Sequence, residues 1–130
     1  MTGAETMPAK DAAIRTTATP ADTNVYGDIF GGWLMAQMDL AASSVASRHA
    51  GGRAVTVVVD TMTFHRPVFV GDEVSVFAEL QEVGNSSLKV SVETWRRDRH
   101  SGEAYRVTKA NFTFVAIGPD RRPRPVPPLG

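Results

Sequence analysis

Between residues 29 and 47 the chain carries a single ionisable side chain, Asp39, in a run made largely of Ala, Leu, Met, Gln and Ser. Ala, Leu, Met and Gln favour the helix, so the composition predicts a helix from 32 to about 49. Its apolar residues do not keep to one side. Leu34, Met38, Ala41, Ala42 and Val45 form a stripe, while Trp33, Ala36 and Leu40 carry apolar character around the other face. Such a helix has to be enclosed on most sides, by a sheet curled around it or by a partner subunit. Lipid is not the enclosure, because Gln37, Asp39, Ser43, Ser44 and Ser47 are too polar for a bilayer core.

Past Gly51-Gly52 the period changes from 3.6 to 2 and stays there almost to the end. Residues 54–64 form a long β-branched run. Val74, Val76, Ala78 and Leu80 then alternate with Glu73, Ser75, Phe77 and Glu79, and Leu88, Val90 and Val92 with Lys89, Ser91 and Glu93. A further strand is expected over 103–117, and a short one over 14–19. Turn signals at Val70-Gly71-Asp72, Gly84-Asn85 and Arg99-His100-Ser101-Gly102 are short enough to join antiparallel neighbours, which predicts a meander. The fold class is therefore α+β, an antiparallel sheet wrapped around one long central helix. Residues 1–118 are read as one domain. From 118 to 130 there are five prolines, so the tail 119–130 is expected to be disordered or an extended arm, one that packs on a neighbouring subunit.

A length of 130 residues fits one domain that needs no staple to bury a core. Lys plus Arg number 14 and Asp plus Glu number 14, so no basic surface advertises a nucleic-acid partner. A net charge of zero also sits better with a defined oligomer than with a lone monomer. The lack of cysteine removes disulfides, thiolate zinc sites, iron–sulfur clusters and a cysteine nucleophile together. His49, His65 and His100 are scattered outside metal-ligand spacing, so no metal is expected. Residues 1–13 lack the apolar core of a signal peptide, and a cytoplasmic location follows by default.

Ahead of the helix runs Asn24-Val25-Tyr26-Gly27-Asp28-Ile29-Phe30-Gly31-Gly32. Glycines at 31 and 32 leave helix-start N–H groups open to close approach, and with the helix dipole these donors can hold an oxyanion developing on a carbonyl. Equally, the pair can serve only to let the helix start pack on a strand. Asp39, about two turns farther on, must be paired, solvated by a cleft or neutralised by desolvation. Beside a bound carbonyl it can activate water as general base or attack directly; otherwise it caps a neighbouring backbone or pairs with an arginine across a subunit boundary. Asn24 and Asp28, like Asp22 and Thr23, are turn and cap residues by type, and capping is the expected role of Asp28, with orientation of a water as the other. Arg66, next to His65, is the candidate for phosphate. Lys89, Arg96, Arg97, Arg106 and Lys109 are singly a solvated sheet face, or, gathered from two subunits, a seat for a nucleotide. Ser86 and Ser87 offer donors after the Gly84-Asn85 turn, or serve the turn itself.

Taken together, Gly27-Asp28-Ile29-Phe30-Gly31-Gly32-Trp33 followed by Gln37-Met38-Asp39 resembles the signature of hotdog-fold acyl-CoA thioesterases of the bacterial YciA type. The resemblance continues through Met62-Thr63-Phe64, Arg66-Pro67-Val68, Val70-Gly71-Asp72, Val92-Glu93-Thr94-Trp95 and Phe112-Thr113-Phe114-Val115-Ala116. It implies a homodimer with the active site at its interface, dimers assembling into hexamers, and hydrolysis of acyl-CoA without a cofactor. Asp39 takes the place of the catalytic aspartate. Gly31, Gly32 and Asn24 join it as the catalytic group, the glycines of the facing subunit polarising the thioester carbonyl. Asp28, Arg66, Ser86, Ser87 and Lys109 become the candidate substrate-binding residues. Tyr26 departs from the small polar residue common in relatives and leaves the shape of the acyl pocket open. Two rivals stand beside this reading. A hotdog dehydratase needs a histidine, and none occurs before His49; a non-catalytic acyl-CoA-binding regulatory domain would have no use for Asp39.

Overall fold

The computed structural model describes residues 6–130. Helix α1, Gly31–Ala50, starts and ends within a residue of its expected bounds. Gly51 stops it in the left-handed region, at φ +70°, with its N–H bonded to the Ser47 carbonyl at 2.9 Å. The buried face is Leu34, Met38, Ala41, Ala42, Ala46 and Ala50, while Val45 is only half-buried. The opposite face is not enclosed within one chain: Met35, Ala36 and Leu40 are exposed.

Five antiparallel strands make one sheet in the order β1–β3–β4–β5–β2, namely β1 (Ile14–Thr17), β2 (Ala54–Val59), β3 (Glu73–Val83), β4 (Ser87–Arg97) and β5 (Ala104–Ala116). β3, β4 and β5 form the expected meander. β2 does not neighbour β3, as the turn at 70–72 implied, but pairs with β5 at the far edge. The reason lies in residues 60–68, which run on beside β5 instead of turning back. The Asp60 N–H bonds Asn111 O and the His65 N–H bonds Val107 O, at 2.9 and 2.8 Å. The strand expected over 54–64 ends at Val59, because the Thr63 carbonyl takes the Thr108 hydroxyl, at 2.7 Å, in place of a ladder amide.

Inward-facing Val74, Val76, Leu88, Val90, Val92, Phe112 and Phe114 close on the helix as one core. Ser75, Phe77 and Trp95 are buried as well, on the outer face where alternation predicts exposure. N-terminal residues cover that patch: Pro8 lies beside Phe77, and Met7 Sδ meets Arg97 Nη2 at 3.7 Å. Among the described residues no helix is long and apolar enough to cross a membrane.

The proline-rich tail is extended, as expected, and residues 123–126 pack on the chain's own sheet and helix end. Arg124 N–H bonds Ala116 O and Val126 N–H bonds Asn85 O, both at 2.9 Å. The Arg124 guanidinium donates to Ala50 O at 2.9 Å and to Ile117 O at 3.3 Å, tying the last turn of α1 to the end of β5. Gly52 makes room for it, since a Cβ there would stand 2.7 Å from Arg124 Nη2. Arg124→Ala removes the guanidinium's bonds to the Ala50, Ile117 and Pro125 carbonyls and is expected to lower unfolding free energy by about 1–3 kcal/mol in urea titration at fixed protein concentration. An unchanged midpoint would mean that the arm braces nothing.

Candidate active site

Asp39 sits on the flank of α1 that looks toward β2. Thr56 Oγ1 donates to its Oδ1 at 2.6 Å. Thr56 is opposite the buried Phe114 in the β2–β5 register, so its side chain lies on the helix side of the sheet. A register shift between Thr56 and Val58 then lets Val59 return to that same side, opposite the buried Phe112. Asp39 is half-buried and hydrogen-bonded, and among the described residues no cation lies within ion-pair distance of it. Oδ2 accepts no hydrogen bond among the described residues. Thr56 escaped the sequence reading. The available signal was a lone hydroxyl in Val55-Thr56-Val57-Val58-Val59, but which face it occupies depends on the bulge.

At the start of α1, Trp33 and Leu34 N–H groups bond the Phe30 carbonyl, at 3.0 and 3.3 Å, and the N–H groups of Gly31 and Gly32 have no acceptor among the described residues. Neither glycine has positive φ, so conformation does not demand them. Nor does crowding within the protomer: a Cβ on Gly31 would make an ordinary 3.7 Å contact with Phe64, and one on Gly32 would stand 3.3 Å from the exposed Phe30 ring, a mild crowding that a small ring shift relieves.

Asn24 organises the loop before the helix. Its Oδ1 accepts the Tyr26 and Asp28 N–H groups at 2.8 and 3.2 Å, and its own N–H bonds Asp28 O at 2.7 Å. Gly27, at φ +89°, closes the turn. With Oδ1 occupied, Nδ2 is the amide end left to donate outward. Asp28 does not cap α1, contrary to expectation: the N-cap is Phe30, with no side-chain bond, and Asp28 is exposed. The loop closes on Asn24 and so draws the Asp28 amide toward it, leaving its carboxylate in solvent. Asp22 and Thr23 do serve a turn, with Asp22 Oδ2 accepting from Thr19 and Thr23 Oγ1 donating to Pro20 O.

The candidate substrate-binding residues are not brought together in one chain. Arg66 donates to Arg106 O at 2.7 Å and stacks on the Tyr105 ring, near one end of β5. Ser86 and Ser87 lie at the other end, in the β3–β4 turn, where their carbonyls accept the Ala116 and Gly84 N–H groups. Eight residue steps along β4, from Ser87 to Trp95, separate the two ends by about 26 Å. Lys109 is exposed in mid-strand, paired in register with Glu93. Three of the expected phosphate cations are engaged elsewhere. Arg96 Nη1 meets the buried Asp72 at 3.3 Å between the Phe69 and Tyr105 rings, Arg97 Nε meets Glu73 at 3.6 Å, and Lys89 meets Glu82 at 3.4 Å. Near the same end, the Ser101 hydroxyl and the His100 N–H hold the Asp98 carboxyl below its ordinary range.

A family model described as Thioesterase superfamily matches residues 26–103, a span that takes in the helix-start glycines, Asp39 and Thr56. An uncharacterized acyl-CoA thioester hydrolase of Zymomonas mobilis is 55% identical over 122 residues, 94% of this chain and 82% of that protein. Acyl-CoA thioester hydrolase YciA of Salmonella typhimurium is 46% identical over 133 residues, the whole of both chains. Among solved structures, a hexameric thioesterase from Yersinia pestis has a TM-score of 0.87 at 47% identity, covering 95% of this chain and 100% of that one. An acyl-CoA hydrolase from Staphylococcus aureus, solved in complex with butyryl coenzyme A, coenzyme A and coenzyme A disulfide, has a TM-score of 0.83 at 32% identity, with 90% and 71% coverage.

The Asn24 turn has a direct solution signature. Asn24→Ala deletes the acceptor for two amides, so hydrogen exchange at Tyr26 and Asp28 is expected to quicken by roughly tenfold, the loss of about 1 kcal/mol of local protection. Asn24→Asp keeps an acceptor oxygen and should leave both amides slow. Equal exchange in all three proteins would show that the side chain does not hold the turn.

Proposed function

Because the chain belongs to the thioesterase superfamily, in its hotdog-fold, YciA-type branch, we propose that it hydrolyses acyl-CoA to a free acid and coenzyme A at a site shared between two copies of itself. One observation carries the shared site. Asp39 lies seven and eight residues beyond Gly32 and Gly31 in one continuous helix, so about 10–12 Å separate them along its axis. A base and an oxyanion donor must both come within about 3 Å of one reacting group, which a single helix cannot arrange. A twofold-related copy with its α1 antiparallel supplies the missing half of each site. The edge of β2 supports this pairing: Val55, Val57, Val58 and Val59 are exposed there, and Leu40 and Met35 are exposed on α1. Natural edges are rarely left long, flat and apolar unless another chain covers them. Dimers then gather into a hexamer, the assembly described for the Yersinia pestis relative.

The proposed chemistry draws on one carboxylate, water and amide donors, with no metal or other cofactor. Asp39 Oδ2 takes a proton from water, and the resulting hydroxide adds to the thioester carbonyl carbon. Gly31 and Gly32 N–H groups of the facing copy, with Asn24 Nδ2, hold the oxyanion. Collapse breaks the carbon–sulfur bond, and the thiolate leaves with the proton from Asp39. Thr56 fixes Oδ1 and so keeps Oδ2 aimed at the water; this arrangement favours the general-base role over direct attack. Of the candidate binding residues, Lys109 and Asp28 are exposed in the protomer, while Arg66 and the serines, at opposite ends of the sheet, serve different parts of the ligand or different copies.

Asp39→Asn is expected to lower kcat by about 100- to 10,000-fold on any acyl-CoA, and Thr56→Val by about tenfold, followed as release of free thiol. Binding of acyl-CoA without turnover in the unaltered protein would instead establish a sensor. Sharing of the site is checked by mixing inactive Asp39→Asn with inactive Asn24→Ala under subunit exchange. Each mixed pair rebuilds one intact site, so activity should return to about a quarter of the unaltered level. Sites confined to single chains would return none.

A further inference from the structure

Val25 and Tyr26 are the most exposed large apolar side chains among the described residues, at 92% and 86%. Isolated exposed apolar residues are ordinary on a protein surface. These two are not on a loose tip. The Asn24 side chain and the Asp28 carbonyl hold the turn from both sides, and a Thr23–Ile29 bridge closes its base. A rigid turn that holds two large apolar groups in water gains nothing by itself, so its use lies in what covers it. The turn also stands immediately ahead of the oxyanion donors. Phe30 packs over Gly32 and Phe64 over Gly31, an apolar collar around those N–H groups that the turn leads into along the chain.

We propose that Tyr26, with Val25, forms the wall on which the substrate's acyl chain lies, and so sets chain-length preference; this rests on the shared-site reading of the active centre. An acyl-CoA offers that collar two ends. The nucleotide end carries phosphates, and the exposed Asp28 carboxylate in the same turn repels them. The acyl end is uncharged and gains by burying each methylene against apolar surface. The phenol suits a wall at the mouth of a site, its ring lying on the chain while its hydroxyl stays in water. A single methylene contact discriminates only modestly, so the preference should grow with chain length.

The test compares kcat/KM for butyryl-CoA and decanoyl-CoA in the unaltered protein, Tyr26→Ala, Tyr26→Leu and Asp39→Asn, with oligomeric state read by size exclusion. The Tyr26 side chain makes no hydrogen bond within the described chain, so both Tyr26 variants should fold. Tyr26→Ala is expected to lose about tenfold or more in the decanoyl-to-butyryl ratio, while Tyr26→Leu stays within about threefold of the starting ratio. Equal losses on both substrates, a gain on decanoyl-CoA, or dissociation of the oligomer would overturn the assignment, the last showing that the turn is covered by a second copy instead. An active protein with a dead Asp39→Asn and an unaltered ratio in Tyr26→Ala sinks the wall alone. A protein without turnover, or an active Asp39→Asn, sinks the shared-site reading and the wall with it.

Discussion

Ala41, Ala42, Ala46 and Ala50 line the face of α1 that meets the sheet, and the bulk in that contact comes from the sheet: Phe112, Phe114, Leu88 and the valines of β3 and β4. Small side chains on the helix let the two backbones approach closely, and large ones on the strands fill the space without voids. That close approach dictates where the neighbouring segments can run. β2, joined to the helix by only Gly51, Gly52 and Arg53, has to lie along the helix flank rather than away from it. Thr56 is thereby carried to within 2.6 Å of the Asp39 carboxylate, a contact that one added methylene on the packed face would disturb. The same closeness makes the Arg124 clasp possible, because the last carbonyl of α1 and the end of β5 lie within reach of one guanidinium.

Much of this was legible in the sequence. The uncharged helix, its glycine stop and the meander of β3, β4 and β5 are local or nearest-neighbour features, set by propensity, period and turn chemistry. What escaped reading depends on contacts between distant residues. The placement of β2 at the far edge follows from residues 60–68 running beside β5, and nothing in their own pattern states which strand they accompany. The burial of Phe77 on the outer face depends on the N-terminal residues returning across it. The Asp28 cap failed for a subtler reason: Asn24 captures the amides of the turn first, and the helix begins on Phe30 with no cap side chain at all. At the candidate site, Asp39 and the glycines stood out as local anomalies, a lone acid and a paired gap. Thr56 did not, since its part arises only when a bulged strand meets a helix.

The cations show how weakly residue type alone predicts a binding role. Arg96 reads as a surface charge on an alternating strand, yet it is mostly buried between two aromatic rings and held by Asp72, which also caps the turn at Phe69. Its Nε and the neighbouring Thr94 hydroxyl are buried without a partner among the described residues. A guanidinium so placed fixes the junction of β3, β4 and β5 and has no free face for a phosphate. Arg97 and Lys89 form ion pairs within their own hairpin, but these pairs are exposed and weak, so they leave both side chains available to another partner.

Asp39 stands at the rim of the fold and not in its core, and this position reconciles two requirements that pull apart. A carboxylate sealed inside one chain would need a fixed cation or several donors to be tolerated, and either would blunt it as a base. One left in open water would act through a screened, high-dielectric medium, where the oxyanion donors are also at their weakest. Beside an apolar strand edge, the acid stays solvated and is easily tolerated while the chain folds. In the proposed pair it becomes enclosed only when a second copy covers Val55, Val57, Val58 and Leu40. Water exclusion then arrives in the same event that brings the facing glycines, so that the dry environment and the complete set of catalytic groups come into being together. Folding of the protomer is in this way spared the penalty of burying an unpaired charge, and the energy of desolvation is drawn from the association of apolar edges.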